Sequence, residues 1–115
     1  MARWTLTLCA TEAGRCPVRE YLAGLAPYER ARVTVGIDLL ETFGLALGMP
    51  HTRSAGDKLW ELRVRGQVQH RVLYVAVTGG RLLLVHAFGK KTPQIPPAEL
   101  RTARQRMADY LERMG

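Results

Sequence analysis

The sequence predicts an α+β domain: a twisted antiparallel sheet in the order β-α-α-β-β-β-α, with an N-terminal helical hairpin and a C-terminal helix. Three observations predict it. Residues 58–91 read as three consecutive strands, rich in Val, Leu and Tyr, punctuated by Gly66-Gln67 and Gly79-Gly80. Residues 17–43 instead repeat apolar residues at helical spacing behind two prolines. The last residues carry one apolar stripe that begins after Pro97. With 115 residues and 47% apolar content, the chain is expected to form one domain, 1–115, with one modest core.

Each element has its own local justification. Trp4-Thr5-Leu6-Thr7-Leu8 alternates apolar and polar and reads as a short strand, at an edge or in the middle of the sheet. Thr11 to Arg15 reads as loop. Pro17 suits the first position of a helix, and Val18, Tyr21, Leu22 and Leu25 share one face, interrupted at Gly24. Pro27 opens a second helix that turns Val33, Ile37, Leu40 and Phe43 inward, with Gly44 as its cap. Gly44 to Asp57 reads mostly as loop. In the first main strand Trp60, Leu62 and Val64 alternate with Glu61, Arg63 and Arg65, so one face is apolar and the other charged. Residues 92–97 are too proline-rich to extend a strand. Pro97 then fits the first position of a last helix, with Glu99 in its first turn, Arg113 in its last, and Leu100, Ala103, Met107, Tyr110, Leu111 and Met114 in one stripe.

Charge is confined to the strands. Residues 1–57 have a net charge of zero and residues 92–115 of +1, whereas residues 58–91 carry +6 of the chain's +7. A charge kept for solubility would be spread more evenly, so the distribution points to a polyanion ligand. The chain has 14 Arg and three Lys, two of them adjacent at Lys90 and Lys91. An ammonium there can lose its proton when desolvated, which a guanidinium cannot.

Other classes find little support. No run is long enough to span a membrane, and no charged-then-apolar leader opens the chain, so a cytoplasmic protein is expected. Cys9 and Cys16 have no His or second Cys pair at metal spacing, so a reduced pair, no metal and no cofactor are expected.

Strand parity assembles the chemistry. Arg63, Arg65 and Arg71 are expected to project from a rigid sheet, with neither Arg71 nor Arg81 in the core. Arg71 shares a face with Gln69, and His70 points the other way. His86, Phe88 and Lys90 share a face of the last strand. With Gly79-Gly80 as the loop, Arg71 lies opposite Phe88 and within reach of Lys90. Cutting RNA without metal requires a group to take the 2′-hydroxyl proton, cations to hold the phosphate, and an acid for the leaving 5′-oxygen. His86, Glu61 or a lysine could move protons, and Arg63, Arg71, Lys90 and Lys91 could hold phosphate. The residues equally allow a packed core His86, a Glu61 that only pairs with arginine, and a core Tyr74.

Leu59-Trp60-Glu61-Leu62-Arg63, His70-Arg71-Val72-Leu73-Tyr74 and His86-Ala87-Phe88-Gly89-Lys90-Lys91-Thr92-Pro93, followed by a terminal helix, resemble the RelE/ParE toxin superfamily. Within it the series is most similar to the HigB-like, phage Gp49-like branch. The resemblance implies a RelE-like fold and a type II toxin that cuts mRNA in the ribosome without metal. Its implied partners are a helix-turn-helix, HigA-like antitoxin, the ribosome and mRNA. Carried over by motif, Arg71, Lys90 with Lys91, and Arg63 match the family's basic residues; with His86 and Glu61 as groups able to move protons, Arg71, Lys90, Lys91, His86 and Glu61 are the candidate catalytic residues. Arg63, Arg65 and Phe88 are the candidate RNA-binding residues. RelE members carry lysines where this chain has Leu59 and Glu61, and a tyrosine after the basic pair where this chain is proline-rich. The general base is therefore left open among His86, Glu61 and a lysine. ParE members share the fold and inhibit gyrase instead, so a non-enzymatic toxin, or a phage-derived RNA-binding accessory protein, is the alternative.

Overall fold

A computed structural model describes residues 3–8, 11, 13–90 and 94–114. Among them are five strands and three α-helices: β1 (Thr5–Leu8), α1 (Pro17–Ala23), α2 (Pro27–Phe43), β2 (Thr52–Gly56), β3 (Leu59–Arg65), β4 (Gln69–Val77), β5 (Arg81–Lys90) and α3 (Pro97–Met114). The class is α+β, as expected, and each helix starts at the proline that predicted it. Lys91, Thr92, Pro93 and Cys9 lie outside the described residues. No helix among the described residues is long and apolar enough to cross a membrane.

The sheet runs β1-β5-β4-β3-β2 and is mixed. Its β2-β3-β4-β5 portion is antiparallel, but β1 lies at the edge and pairs parallel to β5, from Thr5↔Arg81 to Leu8↔Leu84. This corrects the wholly antiparallel expectation. A second correction is β2, which occupies part of the stretch read as loop. Thr52–Gly56 lacks apolar alternation because it is an edge strand whose middle is exposed. Its link to β3 is the two-residue turn Asp57-Lys58, both at positive φ (51° and 70°). That geometry normally calls for Asn-Gly or Gly-Gly, so the turn carries no glycine signal at its centre.

Both main hairpin loops hold three residues, 66–68 and 78–80, rather than the two expected. The longer second loop shifts β4 against β5 by one residue, and a bulge at Val85 shifts it back. Arg71 therefore does lie opposite Phe88, through two departures that cancel.

The helices cover the two faces unequally. α1 and α2 pack on the face carrying Leu62, Val64, Val72, Tyr74, Leu82 and Leu84. α3 lays Leu100, Ala103, Met107 and Tyr110 over Leu59, Leu73, Val75, Leu83 and Val85. Tyr74 is core, only 1% exposed. Phe43, expected inward, is exposed instead: α2 ends there, and the ring of Trp4 closes on the following residue, Gly44. Gly44 is the cap at φ 55°, and a Cβ on it would strike the indole of Trp4.

Gly44→Ala therefore meets both a left-handed φ and a blocked site. It is expected to cost about 2 kcal/mol or more in denaturant unfolding, whereas Gly79→Ala, which meets open space, should cost only its φ strain.

Candidate anion site on the sheet

Glu61 and Arg63 on β3, Arg71 on β4 and Lys90 on β5 come together at the end of the sheet where Arg65 pairs with Gln69, joined by Arg53 from β2, with Glu61, Arg71 and Lys90 buried. Strand pairing sets the layout. Arg53 lies directly opposite Glu61, Arg63 opposite Arg71, and Lys90 opposite Gln69.

Glu61 is the centre of the group and is fully buried. Its Oε1 lies 3.3 Å from Arg53 Nε and 3.8 Å from Arg63 Nε. Its Oε2 lies 3.6 Å from Arg71 Nε and 3.8 Å from Lys90 Nζ. Among the described residues neither oxygen has a hydrogen-bond partner, and neither does Arg71 Nε. One carboxylate thus faces four cations at ion-pair distance without a hydrogen bond to any of them. Burying a carboxylate alone would be costly, and the four cations around Glu61 offset that cost. Together the five side chains carry an excess of three positive charges.

Arg71 is held on both sides. Its guanidinium donates to the His70 carbonyl at 2.9 Å and to Gln69 Oε1 at 2.8 Å, and the residue is 1% exposed. This corrects the expectation that the Arg71 head stands clear of the core: its hydrogen bonds to the His70 carbonyl and Gln69, with the Glu61 charge, hold it in. Burial is the main influence on its basicity and lowers it, opposed by Glu61 and reinforced by Arg63 and Arg53. Lys90 is shifted the same way. Desolvation pushes its pKa down, Glu61 pulls it up, and Arg71, Arg53 and Arg63 push it down again. Arg63 and Arg71 face each other across strands, a like-charge pairing that costs stability unless something anionic lies between them.

The other predicted residues are dispersed. Arg65 is exposed at the end of β3. Phe88 is buried, stacked on His86 with centroids 5.4 Å apart, so its ring is part of the core and not an exposed platform. His86 faces α3. Arg106 can only donate, so its 2.8 Å contact makes His86 Nδ1 the acceptor and leaves Nε2–H to donate to Glu99 at 3.1 Å. Burial lowers the His86 pKa, against the pull of Glu99. Its two nitrogens are thus engaged by α3.

Sequence reading passed over two features. Arg53 lay in the stretch read as loop, where parity gives no face. His70 is fully buried on the opposite face, with Nδ1 2.6 Å from Tyr21 Oη and Nε2 2.9 Å from Glu29 Oε1. Glu29 also accepts from the Gln67 backbone N–H at 2.8 Å, so α1, α2 and the β3–β4 loop meet at one imidazole. Only the odd placing of a His on the apolar face of a strand hinted at it.

If Glu61 is the counter-ion of this cluster, Glu61→Gln leaves the cations unneutralised. The expected cost is about 3–5 kcal/mol, a fall in melting temperature of roughly 10 °C or more, partly restored by added inorganic phosphate. A melting temperature that stays at the wild-type value would contradict this.

A family model described as phage-derived protein Gp49-like matches residues 20–108, which include all the elements that build the cluster. A search of curated proteins found no match to the chain.

Proposed function

Because the chain belongs to the phage-derived Gp49-like family, part of the RelE/ParE-like toxin superfamily, we propose that it is the toxin of a type II toxin–antitoxin pair and cuts mRNA on the ribosome. The observation that supports the cutting is the cluster around Glu61. Cations in excess of the one carboxylate, on rigid strands, suit a phosphate that gains negative charge as it reacts. A surface meant only for protein contact would not need arginine and lysine crowded closely enough to depress one another.

In this reading Arg71 and Arg63 hold the non-bridging oxygens of the scissile phosphate. Both lie beside Glu61, which sets their distance from each other. Lys90 is the proton-moving group. Burial, opposed by Glu61 and reinforced by the arginines, lowers its pKa, and in its neutral form the amine can accept the 2′-hydroxyl proton as the 2′-oxygen attacks phosphorus. As the P–O5′ bond breaks, the 5′-oxygen takes a proton from the ammonium of Lys91, next along the chain, or from Lys90 once it is protonated, and the products are a 2′,3′-cyclic phosphate and a 5′-hydroxyl. His86 is assigned a place in holding α3, because both its nitrogens are committed there. No step calls on a metal ion, so cleavage should survive chelation. The proposed partners are the ribosome, mRNA and an antitoxin of the helix-turn-helix, HigA-like type. The finer assignment within the superfamily is HigB-like, with a RelE-like fold.

Arg71 and Arg81 give the sharpest comparison. Arg81 stands exposed at the far end of β5, bonded to the Thr78 carbonyl at 3.1 Å. On programmed ribosomes Arg71→Ala should lower single-turnover cleavage by on the order of 10²-fold or more, and Arg81→Ala should only weaken non-specific binding. Because Arg71 is buried, its variant also needs a melting curve, and Arg71→Lys serves as the folded control. Equal losses for both alanine variants would mean diffuse charge and no site. Growth arrest with unchanged mRNA 5′ ends and inhibited gyrase would replace this reading with a non-enzymatic toxin.

A further inference from the structure

Behind the cluster, on the other face of the sheet, lies a polar network that no step of the proposed reaction uses. His70 is fully buried, and its two ring nitrogens meet Tyr21 of α1 at 2.6 Å and Glu29 of α2 at 2.9 Å. An ionised carboxylate can only accept, so Nε2–H donates to Glu29 and Nδ1 accepts from the Tyr21 hydroxyl.

Stability alone does not explain this network. Apolar side chains of similar volume would avoid desolvating a histidine and a glutamate, and such replacements are often neutral or stabilising. Glu29 adds a further cost, because its Oε2 is buried without a hydrogen-bond partner among the described residues. What polar groups supply, and apolar ones do not, is direction: each bond fixes one atom against another.

The backbone fixed in this way is the one that carries the cluster. His70 precedes Arg71, and its own carbonyl accepts from the Arg71 guanidinium. Across the strand pairing His70 lies opposite Gly89, which precedes Lys90. Tyr21 Oη sits close over that glycine: a Cβ there would lie 3.1 Å from it and 3.0 Å from Val68 Cγ2. Glu29 accepts the Gln67 backbone N–H and so ties down the loop leading into β4. The network therefore grips β4 and β5 at the pair of residues beside which Arg71 and Lys90 depart to the other face.

We propose that His70, held by Tyr21 and Glu29, is a positioning residue that sets the place of Arg71 against Lys90 from the far side of the sheet. It touches no substrate. Its effect on cleavage rests on the function proposed above; its hold on Arg71 does not. A misplacement of about 1 Å in a catalytic group can cost on the order of 10²-fold in rate, so loosening the network should reach the chemistry.

The test uses the full chain and two readouts. The first is hydrogen exchange of the Arg71 guanidinium, followed by ¹⁵N NMR. The second is single-turnover cleavage on programmed ribosomes, with its rate and its half-saturating concentration measured separately. Glu29→Ala and the milder Tyr21→Phe should each speed the exchange by about 10-fold or more. Each should lower the cleavage rate by about 10-fold with little change in half-saturation. Glu29→Gln keeps an oxygen for both His70 Nε2–H and the Gln67 N–H, so it should restore both readouts. Leu40→Ala, about three turns along the same helix, removes core packing without touching the network. It should lower the melting temperature and leave both readouts near the wild-type values. Unchanged Arg71 exchange in Glu29→Ala, or equal effects in Leu40→Ala, would overturn the proposal and make His70 an ordinary core residue. No gain from Glu29→Gln would overturn it too. Faster exchange in a protein that cuts no mRNA would leave the hold on Arg71 standing and remove the nuclease reading.

Discussion

One buried carboxylate organises the charged end of this sheet. Glu61 projects from β3 into a setting where an isolated charge would be expensive, and it is tolerated because Arg53, Arg63, Arg71 and Lys90 surround it. The reverse dependence is as important. Without Glu61 the four cations would repel one another into solvent, and the face would be a loose basic surface. With it they stay close, at ion-pair distance and not hydrogen-bonded to it.

The opposite face of the sheet holds the same strands in register. His70 and Arg71 are neighbours that point to opposite sides. His70 is gripped by Tyr21 and Glu29, while its carbonyl receives the Arg71 guanidinium. Glu29 also presses on the β3–β4 loop so closely that a Cβ at Gly66 would collide with its carboxylate. Hydrogen bonding by His70 holds Glu29 in its charged form, lowering its pKa. The helical hairpin therefore does more than cover an apolar face. It fixes the start of β4, and with it the backbone from which Arg71 reaches Glu61.

Much of this was legible in the sequence, and the gaps have definite causes. Prolines at the first helical position located all three helices, because their fixed φ and missing N–H suit that position alone in a helix. Alternation located β3 and placed Glu61, Arg63 and Arg65 on one face. β2 was not legible: an exposed edge strand needs no apolar alternation, and its turn uses Asp57 and Lys58 where glycine would have been the signal. The parallel pairing of β1 depends on a contact far away in the chain, which local pattern cannot report. Burial of Arg71 and Glu61 was hidden for a related reason. Each looks like a surface residue until its partners on neighbouring strands are brought alongside. Arg53 was invisible until β2 was.

The ionisation of Lys90 reports on the cluster directly. Its folded-state pKa is depressed, so the folded protein binds fewer protons there than the unfolded chain. Its charged form costs stability below the folded pKa, and that cost is relieved as pH rises through the folded pKa towards the ordinary lysine value. An anion bound among the cations must pull that pKa upward. A ¹⁵N NMR titration of Lys90 Nζ, without and with inorganic phosphate, measures both quantities in the intact protein. A midpoint below that of an ordinary lysine, rising when phosphate is added, is the predicted result. A lysine that titrates at its ordinary value and ignores phosphate would contradict the account.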